Sequence, residues 1–391
     1  MGYMFDKPDV TIAPAPTVAS FRPPPPPPPL AAMVFPLGWL LDHAAAPIKY
    51  RAAVEVARLS AGTGTALSNL PYSFAPAIRL AVMQSAEGIW NNSMLTVPPQ
   101  RGDDFEHIGT MHAIRRLIEY GWDKESPPVY HARRILFRLL AEDNDPSLLF
   151  ELTPPEGKKV DRATVAGYRL HLREAAAATL AQAGFESDLR LRGAASRILE
   201  KIYGFLRSPL AEKPWIRVGN QQVLAADVHP PTVAALHMLA HMPLFRNEHH
   251  EEMEALYRWL IRPLPRQEQV QVVGKRLVPV PLYVLGDKLP HRNAVEEDVP
   301  AALAWLELVA RLGYLRRNEN WMKMHERFID DCGRDGVWHP HKGMSQPRSS
   351  NPWVWATYPL EASHAGDDRW TDVTFRTGLI ARLSGRPITI R

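Results

Sequence analysis

The feature that most constrains the fold is a turn with a glycine two residues before a tryptophan, which recurs along the chain. The first copy is Gln84-Ser-Ala-Glu-Gly88-Ile-Trp90, and the second is Asp335-Gly336-Val-Trp338. A weaker third copy is centred on Trp215. A threonine that opens an apolar run follows each tryptophan after 17 to 20 residues, namely Thr110, Thr232 and Thr357. Although Gly-x-Trp is short enough to recur by chance, the repeated spacing indicates a repeat architecture.

Each part of this unit has a physical role. Gly88 supplies a left-handed backbone conformation that residues with a Cβ resist, so an outer helix is predicted to end before it. Trp90 buries a large ring, and its indole N–H needs a polar partner. The Gln84 amide is predicted to stack on that ring and to bond a free backbone group. Thr110 is predicted to cap an inner helix, because its hydroxyl accepts a bond from an otherwise unpaired N–H.

The rest of the chain predicts helices in consecutive pairs. Apolar residues recur at three- and four-residue spacing, for example at Ile114, Leu117 and Ile118. Glycines are expected at helix C-termini, namely Gly121, Gly184, Gly313 and Gly333. Residues 270–284 are rich in β-branched side chains and predict one short extended excursion. The expected class is all-α, with about a dozen helices in a closed double ring whose inner members line a central funnel.

Residues 1–36 are predicted to form a proline-rich, disordered tail that precedes a helical domain spanning residues 37–391. The tail contains 11 of the 37 prolines, including an unbroken run from Pro23 to Pro29. Such a run forms an extended polyproline II helix. The run is interpreted either as a stiff spacer or as a ligand for an aromatic-lined groove of a partner protein.

Composition argues against several classes of protein. A net charge of +4 over 391 residues, without a basic stripe interleaved with aromatic residues, gives no support for nucleic-acid binding. The single cysteine, Cys332, excludes a disulfide framework within the chain and favours a reducing compartment. No stretch reaches the roughly 20 apolar residues of a membrane span. We therefore expect a cytoplasmic protein without a transmembrane segment.

The Gln84…Gly88-x-Trp90 arrangement resembles the QW repeat of squalene and terpenoid cyclases. The layout of residues 37–385 looks like the α/α-toroid superfamily, which also contains the protein prenyltransferase β subunits. Residues 39–51, which begin Trp-Leu-Leu-Asp-His and end Pro-Ile-Lys-Tyr-Arg, are similar to the opening of bacterial squalene-cyclase-like repeat proteins. The resemblance implies an (α/α)6-type toroid of about twelve helices. It also implies an aromatic central cavity that binds a hydrophobic or isoprenoid-like small molecule.

The catalytic signatures of that superfamily are absent from the sequence. Neither the Asp-x-Asp-Asp acid of squalene–hopene cyclases nor the Asp-Cys-Thr-Ala-Glu acid of oxidosqualene cyclases occurs, and no Asp-Asp-x-x-Asp diphosphate site is present. Whether the protein is a terpenoid cyclase-like or prenyltransferase-like enzyme is therefore left open. The alternatives are a non-catalytic helical scaffold and a glycan-active toroid enzyme, which would need paired carboxylates at the funnel.

Neither a metal nor another cofactor is expected. Asp330-x-Cys332 with the later His364 resembles the Asp-x-Cys…His zinc ligands of protein prenyltransferases. In that family, however, Asp-x-Cys follows the Gly-x-Trp-type turn, whereas Asp330 and Cys332 precede Trp338. Cys332 is instead predicted to be a buried, small apolar residue.

The predicted site lies where the loop after Trp90 meets the helix that begins near Trp353. Successive inner-helix N-termini share one rim of a toroid, and such termini favour anions, for example a diphosphate or a carboxylate. Asp104 and His107, three residues apart at a helix start, are the predicted acid/base pair. The predicted substrate contacts are Asp103, His341, Trp353, Trp355 and Tyr358. The alternative is that Asp104 and His107 cap a structural loop.

Overall fold

A computed structural model describes most of the folded chain. It covers residues 30–60, 62, 66–97, 105–141, 162–289, 298–340, 344–349, 351, 354, 357–361, 363 and 365–391. Its α-helices are α1 (Leu37–His43), α2 (Ala46–Arg51), α3 (Ala66–Ser73), α4 (Ala75–Val82), α5 (Thr110–Glu119), α6 (Pro127–Leu140), α7 (Arg162–Gln182), α8 (Leu189–Leu206), α9 (Val233–Ala240), α10 (Pro243–Glu248), α11 (His250–Leu260), α12 (Val299–Arg311), α13 (Glu319–Asp330) and α14 (Thr371–Leu383). Its strands are β1 (Met33–Phe35), β2 (Trp215–Val218), β3 (Gln221–Leu224), β4 (Val270–Val273), β5 (Arg276–Pro279) and β6 (Ile388–Ile390).

The predicted fold class is an all-helical, all-α toroid. This prediction is wrong, because the described ranges contain two β-sheets. Helices predominate, but the fold is mixed α/β. In one sheet β1 runs parallel to β6 and pairs Met33 with Ile388. Strand β1 lies in the segment that composition assigned to the tail, and its Phe35 is fully buried in the core.

The second sheet has the order β2-β3-β4-β5 and consists of two antiparallel hairpins. They meet through a parallel contact between Leu224 and Gln271. Each hairpin turns on two residues, of which the first is a glycine with positive φ, Gly219 or Gly274. Only a residue without a Cβ adopts that conformation at little cost, so the glycine in each turn favours a two-residue hairpin loop.

The third copy of the tryptophan turn is also wrong. Trp215 opens strand β2, pairs with Leu224 across the hairpin and is half-buried. The predicted excursion at 270–284 contains the β4–β5 hairpin, but this hairpin is half of a four-stranded sheet. The Gly219-Asn220 pair between the short runs 215–218 and 221–224 is the sequence signal of a two-residue hairpin turn.

Two Gly-x-Trp turns have the same backbone hydrogen bonds. In the first, Ser85 N–H donates to Ile89 O (2.8 Å) and Gly88 N–H to Ser85 O (2.9 Å). In the second, the equivalent bonds join Gly333 to Val337 (2.9 Å) and Gly336 to Gly333 (2.9 Å). Gly88 and Gly336 have φ of +86° and +85°. The same geometry therefore recurs about 250 residues apart.

The tryptophans of these turns are both 0% exposed, which confirms the predicted burial of the two rings. The indole N–H of Trp90 donates to Leu80 O (2.8 Å). Gln84 does not supply that partner; its amide donates to Gly88 O (3.2 Å) and Pro128 O (2.9 Å), which joins the turn to the start of α6.

Each turn is tied to the first part of a later helix by a threonine. The backbone N–H of Trp90 donates to Thr110 Oγ1, and that of Trp338 donates to Thr374 Oγ1, both at 3.1 Å. The predicted partner of Trp338 was Thr357, so that assignment is wrong. Thr374 lies 36 residues after Trp338 and outside the predicted spacing.

Glycines end several helices in the same way. Gly121, Gly184, Gly313 and Gly385 follow α5, α7, α12 and α14 with φ between +73° and +92°. In each case the next residue's N–H donates to the carbonyl five residues back, at 2.8–3.1 Å. This is the Schellman cap. Three of the four predicted helix-ending glycines are thereby confirmed; the fourth, Gly333, lies within the second tryptophan turn.

Five helices surround a cavity that holds the candidate site. Helix α5 packs against α7, α7 against α9, α9 against α12, and α12 against α14. Helix α14 contacts the π-helical turn Ala52–Val56, and an ion pair between Arg51 and Glu119 links α2 back to α5. Helices α6, α8, α11 and α13 pack outside these five. No described helix is long and apolar enough to cross a membrane.

Candidate functional site

The central cavity has a volume of about 280 Å³ and takes side chains from all five surrounding helices. Its polar lining consists of Arg115, Glu119, Gln182, His237, His241, Gln269, Lys288, Glu307, Arg311, Asn351, Thr357 and Arg376. Its apolar lining consists of Val233, Leu264, Pro281, Ala301, Ala304, Trp305, Leu308 and Val354. The cavity is therefore a mixed environment, charged on one part of its wall and apolar on another.

Because of helical periodicity, charged residues that line the cavity lie in pairs on single helices. Arg115 and Glu119 are four residues apart on α5, as are Glu307 and Arg311 on α12. Residues at this spacing lie on one face of a helix. Such pairs are common on solvent-exposed helix faces, but here the packing of the five helices turns that face inward. The sequence analysis did not single out these charged residues.

An arginine–glutamate network occupies one side of the cavity and consists of Arg51, Glu55, Glu119, Glu307, Arg311 and Arg376. Arg376 donates to Glu307 Oε2 (3.0 Å) and approaches Glu119 Oε2 (3.4 Å). Arg311 donates twice to Glu307 Oε1 (2.8 and 3.0 Å). Arg51 bonds both Glu119 and Glu55. The network therefore connects α2, α5, α12 and α14.

The two cavity-lining glutamates remain ionised despite their burial. Burial by itself raises the pKa of Glu307, but Arg311 and Arg376 outweigh it and lower the pKa to about 2. Burial likewise raises the pKa of Glu119, and Arg51 and Arg376 reverse the shift and lower it. Several buried opposite charges favour the carboxylate form. Neither glutamate can donate a proton near neutral pH.

Arg115 lies at the same cavity and is linked to this network through Gln182, whose Nε2 donates to Glu119 Oε1 (2.9 Å). It is 7% exposed, and its Nε donates to Gln182 Oε1 (3.0 Å). Among the residues described, no carboxylate lies within ion-pair distance of Arg115. The guanidinium keeps its charge even though burial lowers its pKa, because arginine is not deprotonated in proteins. Arg115 is thus a buried cation whose remaining donors are not used by a carboxylate of the described chain.

Lys288 adds a second cation on the cavity wall. Its Nζ donates to the carbonyl of Pro281 (2.9 Å), and no ion pair is formed within the described part of the chain. Burial lowers the pKa of Lys288 to about 8, so most of the amine is protonated at pH 7. Two cations without a carboxylate therefore border one cavity.

Two histidines on α9 and at its C-terminal end complete the polar lining. The rings of His237 and His241 stack with centroids 6.3 Å apart, and His241 Nδ1 bonds the carbonyl of His237 (2.9 Å). Burial, with Arg311 nearby, lowers the pKa of His241 to about 3, and burial also lowers the pKa of His237. Both imidazoles are neutral at pH 7 and can donate or accept one hydrogen bond.

The predicted acid/base pair is only partly within the described structure. His107 has φ of +65°, and its Nε2 lies 3.4 Å from Glu106 Oε1 with both side chains mostly exposed. It is not among the lining residues of the central cavity. Asp104 lies outside the described residues. The pair therefore stays a prediction.

Of the predicted substrate contacts, Tyr358 is described and the other four are not. Tyr358 is buried, and the guanidinium of Arg376 lies 5.4 Å from its ring centroid. Burial raises the pKa of its phenol well above the usual range. Tyr358 thus packs behind the arginine that lines the cavity. Asp103, His341, Trp353 and Trp355 fall outside the described residues.

The described part of the chain contains no group of three or more His, Cys, Asp and Glu side chains that could hold a metal. Cys332 donates to Phe328 O (3.3 Å), and burial raises the pKa of its thiol to about 12. It is half-buried and unreactive at neutral pH. His364, the third residue of the zinc comparison, lies outside the described ranges.

Comparisons with family models, curated proteins and solved structures gave no match. The function of the central cavity is therefore argued from its own chemistry.

Proposed function

We propose that this protein binds a small organic anion with an apolar body in the central cavity. The observation that carries the proposal is Arg115, a buried guanidinium on the cavity wall with no carboxylate within ion-pair distance in the described structure. Removing a charge from water costs several kcal/mol unless a counter-charge is supplied. A bound anion would supply it.

The contrast with the neighbouring arginines supports this assignment. Arg311 and Arg376 line the same cavity, but both are bonded to Glu307. Their charge is already balanced inside the protein. Arg115 has the amide oxygen of Gln182 as its partner, and Lys288 has a backbone carbonyl. A carboxylate or phosphate between these two cations would gain charge-assisted hydrogen bonds, which are about twice as strong as neutral ones.

The rest of the wall favours an apolar body behind the charged head. Trp305, Leu308 and Val233 line the cavity together with Val354 and Pro281. Trp305 is the one Trp, Tyr or Phe side chain among the described lining residues, so the expected wall of large aromatic rings is represented there by a single indole. A volume of about 280 Å³ lies near the lower limit of small-molecule sites, about 300 Å³, and suits a short hydrophobic or isoprenoid-like chain.

The alternatives receive less support from these observations. A glycosidase needs one carboxylic acid with a raised pKa, whereas the pKa values of Glu119 and Glu307 are both lowered. Burial raises the pKa of Glu361, but Glu361 is not among the lining residues of the central cavity and accepts from the N–H groups of Ala45 (2.7 Å) and Ser363 (2.9 Å). The partner-protein role of Pro23–Pro29 stays a prediction, because that run lies outside the described residues. The cavity geometry supports binding and leaves catalysis open.

A matched ligand series tests the proposal by calorimetry. Geranyl phosphate, geranate and geraniol share one ten-carbon body and differ in the charge of the head group. We expect the two anions to bind at least tenfold more tightly than the alcohol, since a charge-assisted bond to a buried group contributes about 1.5–3 kcal/mol. The variant Arg115→Met should remove this preference, so that all three ligands bind with similar affinity.

Two further variants control the experiment. Ala304→Phe places a ring in the cavity and should abolish binding of all three ligands, whereas Arg258→Gln removes an exposed charge outside the cavity and should change nothing. Unaltered circular dichroism spectra would show that the variants fold. If the alcohol binds as well as the anions, or if Arg115→Met keeps the preference, the proposal is wrong.

A further inference from the structure

A second polar site lies on the outside of the molecule, between α6 and the start of α8. It is a groove of about 540 Å³ lined by Arg133, Arg134, Arg138, Arg190, Asp188, Phe137 and Phe185. We call it the arginine groove. The central cavity contributes none of these residues. The arginine groove is therefore a separate site, independent of the proposed function of the central cavity.

Ring stacking holds two of these arginines in place. The Arg190 guanidinium carbon lies 3.7 Å from the Phe137 ring centroid, and that of Arg133 lies 3.6 Å from the Tyr130 centroid. Phe137 in turn packs edge-on against Phe185, with centroids 5.7 Å apart. A guanidinium stacked on a ring keeps its planar fork of donors but loses rotational freedom. The donors are thus arranged before any ligand arrives.

The charge of the groove is not balanced by its own residues. Asp188 is the one carboxylate in the lining, and it already binds Arg190 through both oxygens (3.1 and 2.7 Å). Asp188 Oδ1 also caps α8 by accepting from Arg190 N (2.9 Å). Arg133 and Arg134 form no ion pair with any described residue. Two guanidinium forks therefore remain beside an aromatic wall.

We propose that the arginine groove binds a ligand with a diphosphate group, such as a nucleoside diphosphate. A guanidinium fork matches the oxygens of one phosphoryl group in a bidentate manner. Arg133 and Arg134 both line the groove, so two forks are available to a ligand with two linked phosphoryl groups. Lys124 adds a further cation nearby, with Nζ 5.8 Å from the Phe185 ring centroid. The volume of the groove leaves room for the rest of the ligand.

Calorimetric titration of the full chain with inorganic pyrophosphate tests this site. The double variant Arg133→Gln/Arg134→Gln should weaken binding at least tenfold, because two charge-assisted contacts are lost. The matched control is Arg207→Gln/Arg258→Gln, in another surface groove with three arginines, and it should change the affinity less than about twofold.

Hydrogen exchange locates the ligand without any variant. Pyrophosphate should protect the backbone around residues 130–138 and 185–192, and not around 203–207. Absence of saturable binding, equal weakening by both double variants, or protection elsewhere would overturn the proposal. Tighter binding of an oligoglutamate peptide than of pyrophosphate would overturn it as well. Should the double variant fail to fold, the exposed Arg134→Gln alone, together with the exchange pattern, gives the same decision.

Discussion

Glu307 and Glu174 are buried to nearly the same extent on central helices, yet their pKa values are shifted in opposite directions. Glu307 is 8% exposed and Glu174 is 6% exposed. Arginines outweigh the effect of burial at Glu307 and lower its pKa to about 2. At Glu174 burial prevails and raises the pKa to about 7, against the smaller influences of Thr232, Lys201 and Arg173.

The difference shows that burial alone does not decide the ionisation of a carboxyl group. Glu307 bonds Arg311 and Arg376 directly. Glu174 accepts one bond from the Thr232 hydroxyl (2.7 Å), and no arginine lies within ion-pair distance of it among the described residues. Desolvation favours the neutral form in both places, and close opposite charges reverse that preference at Glu307.

The largest effect is expected for Glu307→Gln. The substitution leaves Arg311 and Arg376 without their shared counter-charge, and breaking a buried pair costs about 3–5 kcal/mol. The free energy of unfolding, measured in urea at pH 7, should fall by that amount. Glu254→Gln is the matched control, since Glu254 pairs with Arg317 at the surface and should cost less than about 1 kcal/mol. Equal losses in the two variants would refute the structural role of the network.

Above neutral pH, Glu174→Gln should raise the free energy of unfolding, whereas Glu307→Gln lowers it. The folded pKa of about 7 lies above the ordinary 4.5, so the stabilising contribution of Glu174 is complete below about pH 4.5 and is lost as the pH rises through 7. The free energy of unfolding of Glu174→Gln, relative to that of the wild type, should therefore rise by about 3 kcal/mol between pH 4 and pH 8. A difference between the two proteins that does not change with pH would contradict the raised pKa.

The acid side of the profile tests Glu307 in the same manner. Its folded pKa of about 2 lies below 4.5, so its contribution is present above about pH 4.5 and is lost as the pH falls through 2. The destabilisation by Glu307→Gln should be about 2 kcal/mol smaller at pH 3 than at pH 7. Urea unfolding of the wild type and of Glu307→Gln at pH 3 and at pH 7 measures this difference. A constant penalty would show that the effect is steric.

The smallest effect is expected for substitution of Thr232, whose hydroxyl donates to Glu174. Thr232 caps α9 by accepting from Ala235 N–H (3.1 Å) while it donates to Glu174. Thr232→Val should cost about 1–2 kcal/mol, as loss of an N-cap does, and should raise the pKa of Glu174 further. Thr232→Ser keeps the hydroxyl and should restore most of the loss. If serine were as damaging as valine, the methyl group, not the hydrogen bonds, would be the important part.

Local signals predicted the turns and helix ends. Gly88, Trp90, Gly336 and Trp338 form two matching turns, because the left-handed glycine and the buried ring are requirements of the segment itself. Thr232 caps a helix as predicted, whereas the predicted cap at Thr110 is wrong, because Thr110 is the first residue of α5 and the N-cap is Gly109. These features depend on a few neighbouring residues and are therefore visible in the sequence.

Features that need distant partners were missed or misassigned. The tryptophan pattern predicts a third turn at Trp215, but this residue lies in a hairpin that depends on pairing with Leu224. Thr374, not Thr357, meets Trp338, since the choice depends on how α14 packs. Of the six strands in the described residues, β1 and β6 pair with each other although they lie near opposite ends of the described chain. No local sequence pattern predicts that contact.

By itself the sequence determined three glycine-capped helix ends, the burial of Trp90 and Trp338, and which catalytic motifs of the cyclase and prenyltransferase superfamily are lacking. Only the tertiary structure decided that Arg115, Glu119 and Glu307 face inward. An arginine and a glutamate four residues apart have the same pattern on a solvated helix and on a cavity wall. Which environment they meet depends on the packing of five helices, and that environment decides whether each charge is balanced by the protein or left for a ligand.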